Sequence, residues 1–155
     1  MNPAMRFAEA ADIQAIAGLV NAAFRPERFF ITTDRTNPEK VAALLEKGKF
    51  ILFLDAGILV GCVYAEIRSE RGYFGLLSVD PTRQRSGLGA QLIAAAEDYC
   101  RAAGCRFIDL TFVNVRHELP VYYRRFGYAE SGVLPFPPDQ HPNQSVHLVR
   151  MSKTL

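Results

Sequence analysis

The stretch Leu77-Ser78-Val79-Asp80-Pro81-Thr82-Arg83-Gln84-Arg85-Ser86-Gly87-Leu88-Gly89-Ala90 decides how this chain is read. Apolar residues run to Val79, a short basic loop follows, and Gly87-x-Gly89 opens a strongly patterned helix. Strand, loop and helix in that order build an anion site. The first N–H groups of a helix have no internal partner, and the helix dipole adds partial positive charge at the same end. Glycines keep Cβ atoms from holding a diphosphate away from those donors. Arg83 and Arg85 bring full charges able to grip phosphate in a fork. By glycine spacing alone, the loop reads equally well as a structural turn. Two phosphate-binding motifs are excluded. A P-loop needs a lysine beside its second glycine, and no lysine lies between Lys49 and Lys153; the dinucleotide fingerprint needs a third glycine where Leu92 stands.

On the N-terminal side of this loop, Met5 to Glu9 reads as a short strand, and Asp12 is placed to cap a helix through Ile13, Ile16, Leu19 and Val20 that Pro26 ends. Asn37-Pro38 starts a second helix that stops at Gly48. Phe50 to Leu54 and Ile58 to Ile67 form two strands around the hairpin signal Asp55-Ala56-Gly57, and Tyr73 to Val79 forms a third after the turn Ser69-Glu70-Arg71-Gly72. On the C-terminal side, Leu88, Leu92, Ala95, Ala96 and Tyr99 mark one helix face, with Gly104 as C-cap. Phe107 to Val113 is again a strand, Leu119 to Phe126 a short helix stopping at Gly127, and Tyr128 to Leu134 and Val146 to Met151 are closing strands. The order β-α-α-β-β-β-α-β-α-β-β predicts an α/β (mixed α+β) fold, a mixed sheet with helices on both faces. The loop after Val79 then lies at the C-terminal end of a strand, where open α/β sheets place their ligands.

A length of 155 residues suits a single domain, 1–155. Its 49% hydrophobic and 22% charged residues are those of an ordinary globular protein. A net charge of +2 argues against general nucleic-acid or membrane binding, while the arginines gathered from Arg83 to Arg125 suit a local acidic ligand. Cys62, Cys100 and Cys105 lack metal-ligand spacing, so no metal is expected. An odd count of cysteines with no leader-like N-terminus suits a reducing, cytoplasmic setting. No stretch is apolar over the ~20 residues of a membrane span. No interface signal stands out, and a homodimer is left open.

Two motifs together change the reading of the loop. Gln84-Arg85-Ser86-Gly87-Leu88-Gly89 and, further on, Tyr123-Arg124-Arg125-Phe126-Gly127-Tyr128 resemble the Gln/Arg-x-x-Gly-x-Gly/Ala and Tyr-x-x-x-Gly-Phe/Tyr patterns of the GNAT superfamily of acetyl-CoA-dependent N-acyltransferases. The element order resembles that family over the whole chain. The resemblance implies a central sheet of about six to seven strands with helices on both faces. It implies acetyl-CoA as co-substrate. Gln84, Arg85, Ser86, Gly87, Leu88, Gly89 and Ala90 would hold its pyrophosphate, with the backbone from Arg85 onward as donors. The main chain of Leu77, Ser78 and Val79 would pair with the pantetheine arm as a false strand, which requires a splayed or bulged strand edge.

The chemistry implied is direct transfer of an acetyl group to a primary amine of a small molecule or a peptide. Tyr123 is the candidate general acid for the departing thiolate, and backbone N–H groups near Leu77 to Val79 are candidate oxyanion donors. The base is open: some relatives place a glutamate twelve residues before the tyrosine, where Thr111 stands, and Arg116 replaces a frequent asparagine. Glu66 is a candidate base, with His117 and Asp109 beside it. Phe29, Phe30 and Phe136 are candidates for an acceptor pocket, and Glu27 or Asp139 for holding a cationic amine. A non-catalytic acyl-CoA sensor and a protein N-terminal or lysine acetyltransferase are the alternatives.

Overall fold

Along Phe50-Ile51-Leu52-Phe53 every residue is apolar, and consecutive side chains of a strand point to opposite faces. Both faces of that strand must therefore be covered. In the computed structural model, which describes residues 4–155, they are. Phe50 and Leu52 pack with Ile16, Val20 and Val41 of the first two helices, α1 (Ile13–Ala23) and α2 (Pro38–Leu45). Ile51 and Phe53 pack with Leu92, Ile93 and Ala96 of α3 (Leu88–Ala102), in a cluster that also takes in Tyr123 of α4 (Glu118–Arg124).

The sheet has seven strands in the order β1-β2-β3-β4-β5-β7-β6. These are β1 (Ala4–Phe7), β2 (Lys49–Asp55), β3 (Ile58–Arg68), β4 (Arg71–Val79), β5 (Phe107–Val113), β6 (Ala129–Pro135) and β7 (His147–Thr154). All neighbours are antiparallel except β4 and β5, the parallel pair joined by the crossover through α3. The expected mixed α/β fold is thus observed. The β2–β3 hairpin turns through Ala56 (φ 52°) and Gly57 (φ 80°), the left-handed pair that a two-residue turn demands.

Three local expectations shift. Asp12 does not cap α1; its carboxylate accepts the Glu9 N–H (2.7 Å) and pairs with Arg6 (2.8 Å), closing a short 3₁₀ turn over Ala10–Asp12. The turn before β4 is only Ser69-Glu70, because Arg71 and Gly72 already pair with Arg68 and Ile67. The last helix starts earlier and stops earlier, at Glu118 and Arg124. At Gly72 α3 presses close on the sheet: a Cβ there would lie 2.8 Å from Cys100 Cβ. Gly72→Ala should therefore lower the denaturant midpoint, by about 1–3 kcal/mol of overpacking, and an unchanged urea midpoint would refute this contact.

Candidate active site between the parted strands

Strands β4 and β5 are parallel partners only from Arg71 to Tyr73 against Phe107 to Asp109. Beyond that point they part. The cause lies in β4: between the pairs Cys62–Ser78 and Tyr64–Gly75, it carries one residue more than β3. Leu76 takes up the excess in a left-handed conformation (φ 53°), a bulge at a residue type that seldom adopts it. Ser78 Oγ donates to the Leu76 carbonyl (2.9 Å), bracing the bulge from inside the core. Bulging frees the main chain of the last β4 residues from β5. The splayed edge expected at Leu77, Ser78 and Val79 is present.

Past Val79 the chain reaches α3 through the basic loop. Asp80 Oδ1 accepts the Thr82 N–H (2.9 Å), starting a 3₁₀ turn. Arg83 is drawn off to Asp55 (2.5 Å), which leaves Arg85, exposed and at φ 65°, as the loop arginine without an ion pair among the described residues. Gly87 precedes α3 at φ 82°, with open space where a Cβ would stand. Gln91 is the first α3 residue to reach back, donating to the Gly87 carbonyl (3.2 Å). The amides of Leu88, Gly89 and Ala90 therefore end the helix without intrahelical acceptors. Gly89 also gives room to Tyr122, whose hydroxyl oxygen would be 2.6 Å from a Cβ there.

Between the parted strands lies a cleft lined by Tyr73 to Leu77, Leu110 to Val113 and Tyr123. Tyr123 is 8% exposed and wedged among Phe74, Phe112 and Tyr128, at ring separations of 6.0, 6.3 and 6.3 Å. Among the described residues no fully buried side-chain N or O lacks a hydrogen-bond partner, and the Tyr123 hydroxyl has none from the protein. The hydroxyl is thus the part of the side chain that reaches the cleft. Burial, reinforced by Tyr122, holds this phenol above its ordinary pKa of 10.0 and so protonated at neutral pH.

The other wall comes from residues distant in sequence. A 3₁₀ turn, Arg25–Phe29, carries Glu27 inward to 6% exposure. Its Oε2 accepts from Arg116 (2.8 Å), whose Nε also holds Glu118 (3.0 Å). Burial raises the Glu27 pKa, against the pull of Arg116 and Arg35. Phe136, Pro137 and Gln140 complete this wall. A separate small cluster of Phe30, Ile31 and Val113, joined by Phe136, supports it. Asn143 clasps the two loops together, its N–H on the Phe30 carbonyl (2.7 Å) and its Nδ2 on the Phe29 carbonyl (3.1 Å).

The remaining candidates separate cleanly. Glu66 is not among the residues lining the cleft. Its carboxylate accepts from Tyr64 (2.6 Å) and Arg68 (2.5 Å). Burial pushes its pKa up, but those two hydrogen bonds outweigh it and leave the group below the usual glutamate value. A carboxylate bound at both oxygens and held low is a weak proton acceptor, so its surroundings do not support the base role expected of Glu66. Asp109 is bound by Arg71 (2.7 and 2.8 Å) and Ser152, tying three strands together. Phe30 is core, Phe29 is exposed, and only Phe136 of the three faces the cleft. Arg116, read in the sequence only as a missing asparagine, is the partner of Glu27; their separation of 89 residues leaves no local signal.

The acetyltransferase (GNAT) family model matches residues 13–128. The chain belongs to the GNAT family. Structural neighbours of this GNAT chain agree over its full length. Ard1 from Thermoplasma volcanium superposes with a TM-score of 0.82 at 18% identity, covering 100% of this chain and 99% of that one. The ribosomal-protein-S18-alanine N-acetyltransferase from Escherichia coli gives 0.76 at 15% identity, covering 99% and 94%. The ribosomal-protein-alanine N-acetyltransferase from Brucella melitensis gives 0.78 at 18% identity, covering 98% and 99%. At these identities the likeness is one of fold. No curated protein matches this GNAT chain in sequence. Among the described residues no group of His, Cys, Asp and Glu is arranged to hold a metal, and no helix is long and apolar enough to cross a membrane.

The Glu27–Arg116 pair is open to direct test. Removing Arg116 leaves a buried carboxylate without its counter-ion, a change that costs about 3–5 kcal/mol. The loss depends on pH. A carboxyl whose folded pKa lies above its unfolded value binds more protons when folded, so stability falls as pH rises above the ordinary glutamate value of 4.5. Arg116→Ala raises the folded value further. Its destabilisation, measured by urea unfolding, should be larger at about pH 8 than at about pH 4, and equal losses at the two pH values would refute the pairing.

Proposed function

We propose that this chain transfers an acetyl group from acetyl-CoA to a primary amine by direct transfer. One observation carries the reading: the Tyr123 hydroxyl opens, unpaired, into the cleft that the bulge at Leu76 creates beside the free edge of β4. The residues present suit an acyl-CoA. A glycine with open space at its Cβ position, three helix-start amides without internal acceptors and an unpaired arginine form the loop, and a bare strand edge leads from it to Tyr123.

Acetyl-CoA supplies an activated thioester. The Leu88, Gly89 and Ala90 amides, the Gln84–Gly87 backbone and the Arg85 charge would bind its pyrophosphate. The main chain of Leu77 to Val79 would hold the pantetheine arm as an added strand. Glu27, with Oε2 on Arg116, offers its other oxygen to the acceptor ammonium and accepts a proton from it. Tyr123 gives its proton to the departing sulfur as the C–N bond forms and the C–S bond breaks. From ammonium to amide the nitrogen loses two protons, one to Glu27 before attack and one from the adduct that restores the Tyr123 phenol. Sulfur gains one from Tyr123, and the proton on Glu27 passes to solvent. Three free cysteines are in keeping with a cytoplasmic protein.

An assay of free coenzyme A thiol across polyamines, aminoglycosides, amino acids and amidated peptides tests this reading. Turnover of at least one amine is expected. Acetyl-CoA binding with no turnover across the panel would overturn it in favour of a sensor.

A further inference from the structure

Arg35 lines the same cleft as Glu27 and Tyr123 and attracts the Glu27 carboxylate through space, yet makes no direct ion pair with it. Its guanidinium carbon lies 5.3 Å from the centre of the Phe24 ring, and the side chain is half-buried. Among the described residues it has no ion-pair or hydrogen-bond partner, whereas Arg28 in the same loop is paired with Asp34 (2.7 Å) and Arg116 with Glu27 (2.8 Å). An aromatic face steadies a cation but accepts none of its five N–H bonds. Glu27 is the mirror case. Oε2 is bound by Arg116 while Oε1 has no partner among the described residues, and since no fully buried oxygen is left unpaired, Oε1 opens to the cleft.

One wall of the cleft thus carries a free carboxylate oxygen and a free guanidinium, with Phe24, Phe112 and Phe136 beside them. We infer that the acceptor is a zwitterion of the free α-amino-acid class, with its ammonium on Glu27 and its carboxylate on Arg35. The inference rests on the acetyltransferase reading and narrows it. Arginine matches a carboxylate with two parallel N–H bonds, and a partly desolvated guanidinium makes such bonds strong. A simple amine would leave the Arg35 N–H groups without an acceptor. A peptide N-terminus would offer only a neutral carbonyl in the same position, and a site built around a charge rejects the analogue that lacks it. The clamp also fixes which nitrogen faces the thioester. Transfer forms the C–N bond at the α-amino group, breaks the C–S bond, and leaves the carboxylate unchanged.

The test compares each standard L-amino acid with its own carboxamide by thiol release, in the wild type and in Arg35→Gln. For the best amino acid, kcat/KM should exceed that of its amide by about 10- to 100-fold, mostly through KM, as expected for one charge-assisted pair. R35Q should bring that ratio close to one. Wild type using amides as well as amino acids, R35Q keeping the preference, or an amidated peptide outcompeting every free amino acid would each overturn the inference. The wild-type comparison stands whether or not R35Q folds. Turnover of amines and amides without carboxylate preference defeats this inference alone, whereas no turnover of any acceptor defeats the transferase reading beneath it.

Discussion

Tyr123→Phe is expected to cut turnover by about 10²- to 10⁴-fold, the range for losing a positioned general acid, while acetyl-CoA affinity stays within about twofold. The substitution removes one oxygen and keeps the ring. Packing against Phe74, Phe112 and Tyr128 survives, so the fold and the strand edge beside the cleft are retained. What is lost is the hydroxyl proposed to protonate the departing sulfur. Because burial holds the phenol above its ordinary pKa of 10.0, the wild-type rate should show no fall from Tyr123 ionisation below that pH. Thiol release and calorimetry on the same preparations separate the two effects. Wild-type turnover in Y123F at every pH would remove Tyr123 from the chemistry.

The second large effect falls on donor binding. Gly87→Glu is expected to raise the acetyl-CoA Kd at least about 30-fold, roughly 2 kcal/mol. Two causes add. Gly87 has φ 82°, a conformation that costs a residue with a Cβ about 1–2 kcal/mol. The new carboxylate also stands beside the amides offered to the pyrophosphate. Gly87→Ala carries the strain without the charge, so the difference between the variants measures repulsion, and that part should shrink as salt is added. Unchanged calorimetric affinity in a folded G87E protein would remove this loop from the donor site.

Local chemistry made much of this legible. Ala56-Gly57 and Asn37-Pro38 announce their turn and cap through neighbours a few residues away, and the structure places the hairpin and α2 there. The free edge of β4 was also readable, because a false strand needs one, though nothing in Leu76 marks it as the residue that bends. Pairings across long separations were not readable. Val149 of β7 faces Phe112 on one side and Val133 on the other, placing the last strand inside the sheet. That order depends on which faces remain to be covered once the other strands have paired. Glu27 was legible as a candidate carboxylate for an acceptor amine, but Pro26 reads as a helix stop and hides the 3₁₀ turn that carries Glu27 inward. The surroundings of Glu66 were hidden for a related reason: its position on β3 says nothing of Tyr64 and Arg68, which hydrogen-bond its carboxylate.

The clasp at Asn143 has an evolutionary consequence. The proposed donor half depends on sheet register, a bulge and a helix start, where a one-residue slip would turn side chains to the wrong face. The proposed acceptor wall hangs instead on two loops, fastened to each other through Phe29 and Phe30 and backed by a small cluster that joins them to Val113. Loops so tethered accept replacement and insertion far more readily than strands do. On the proposed function, a lineage can therefore exchange residues 25–36 and 135–147 and inherit a new clientele, while the proposed acyl-presenting machinery passes down unaltered.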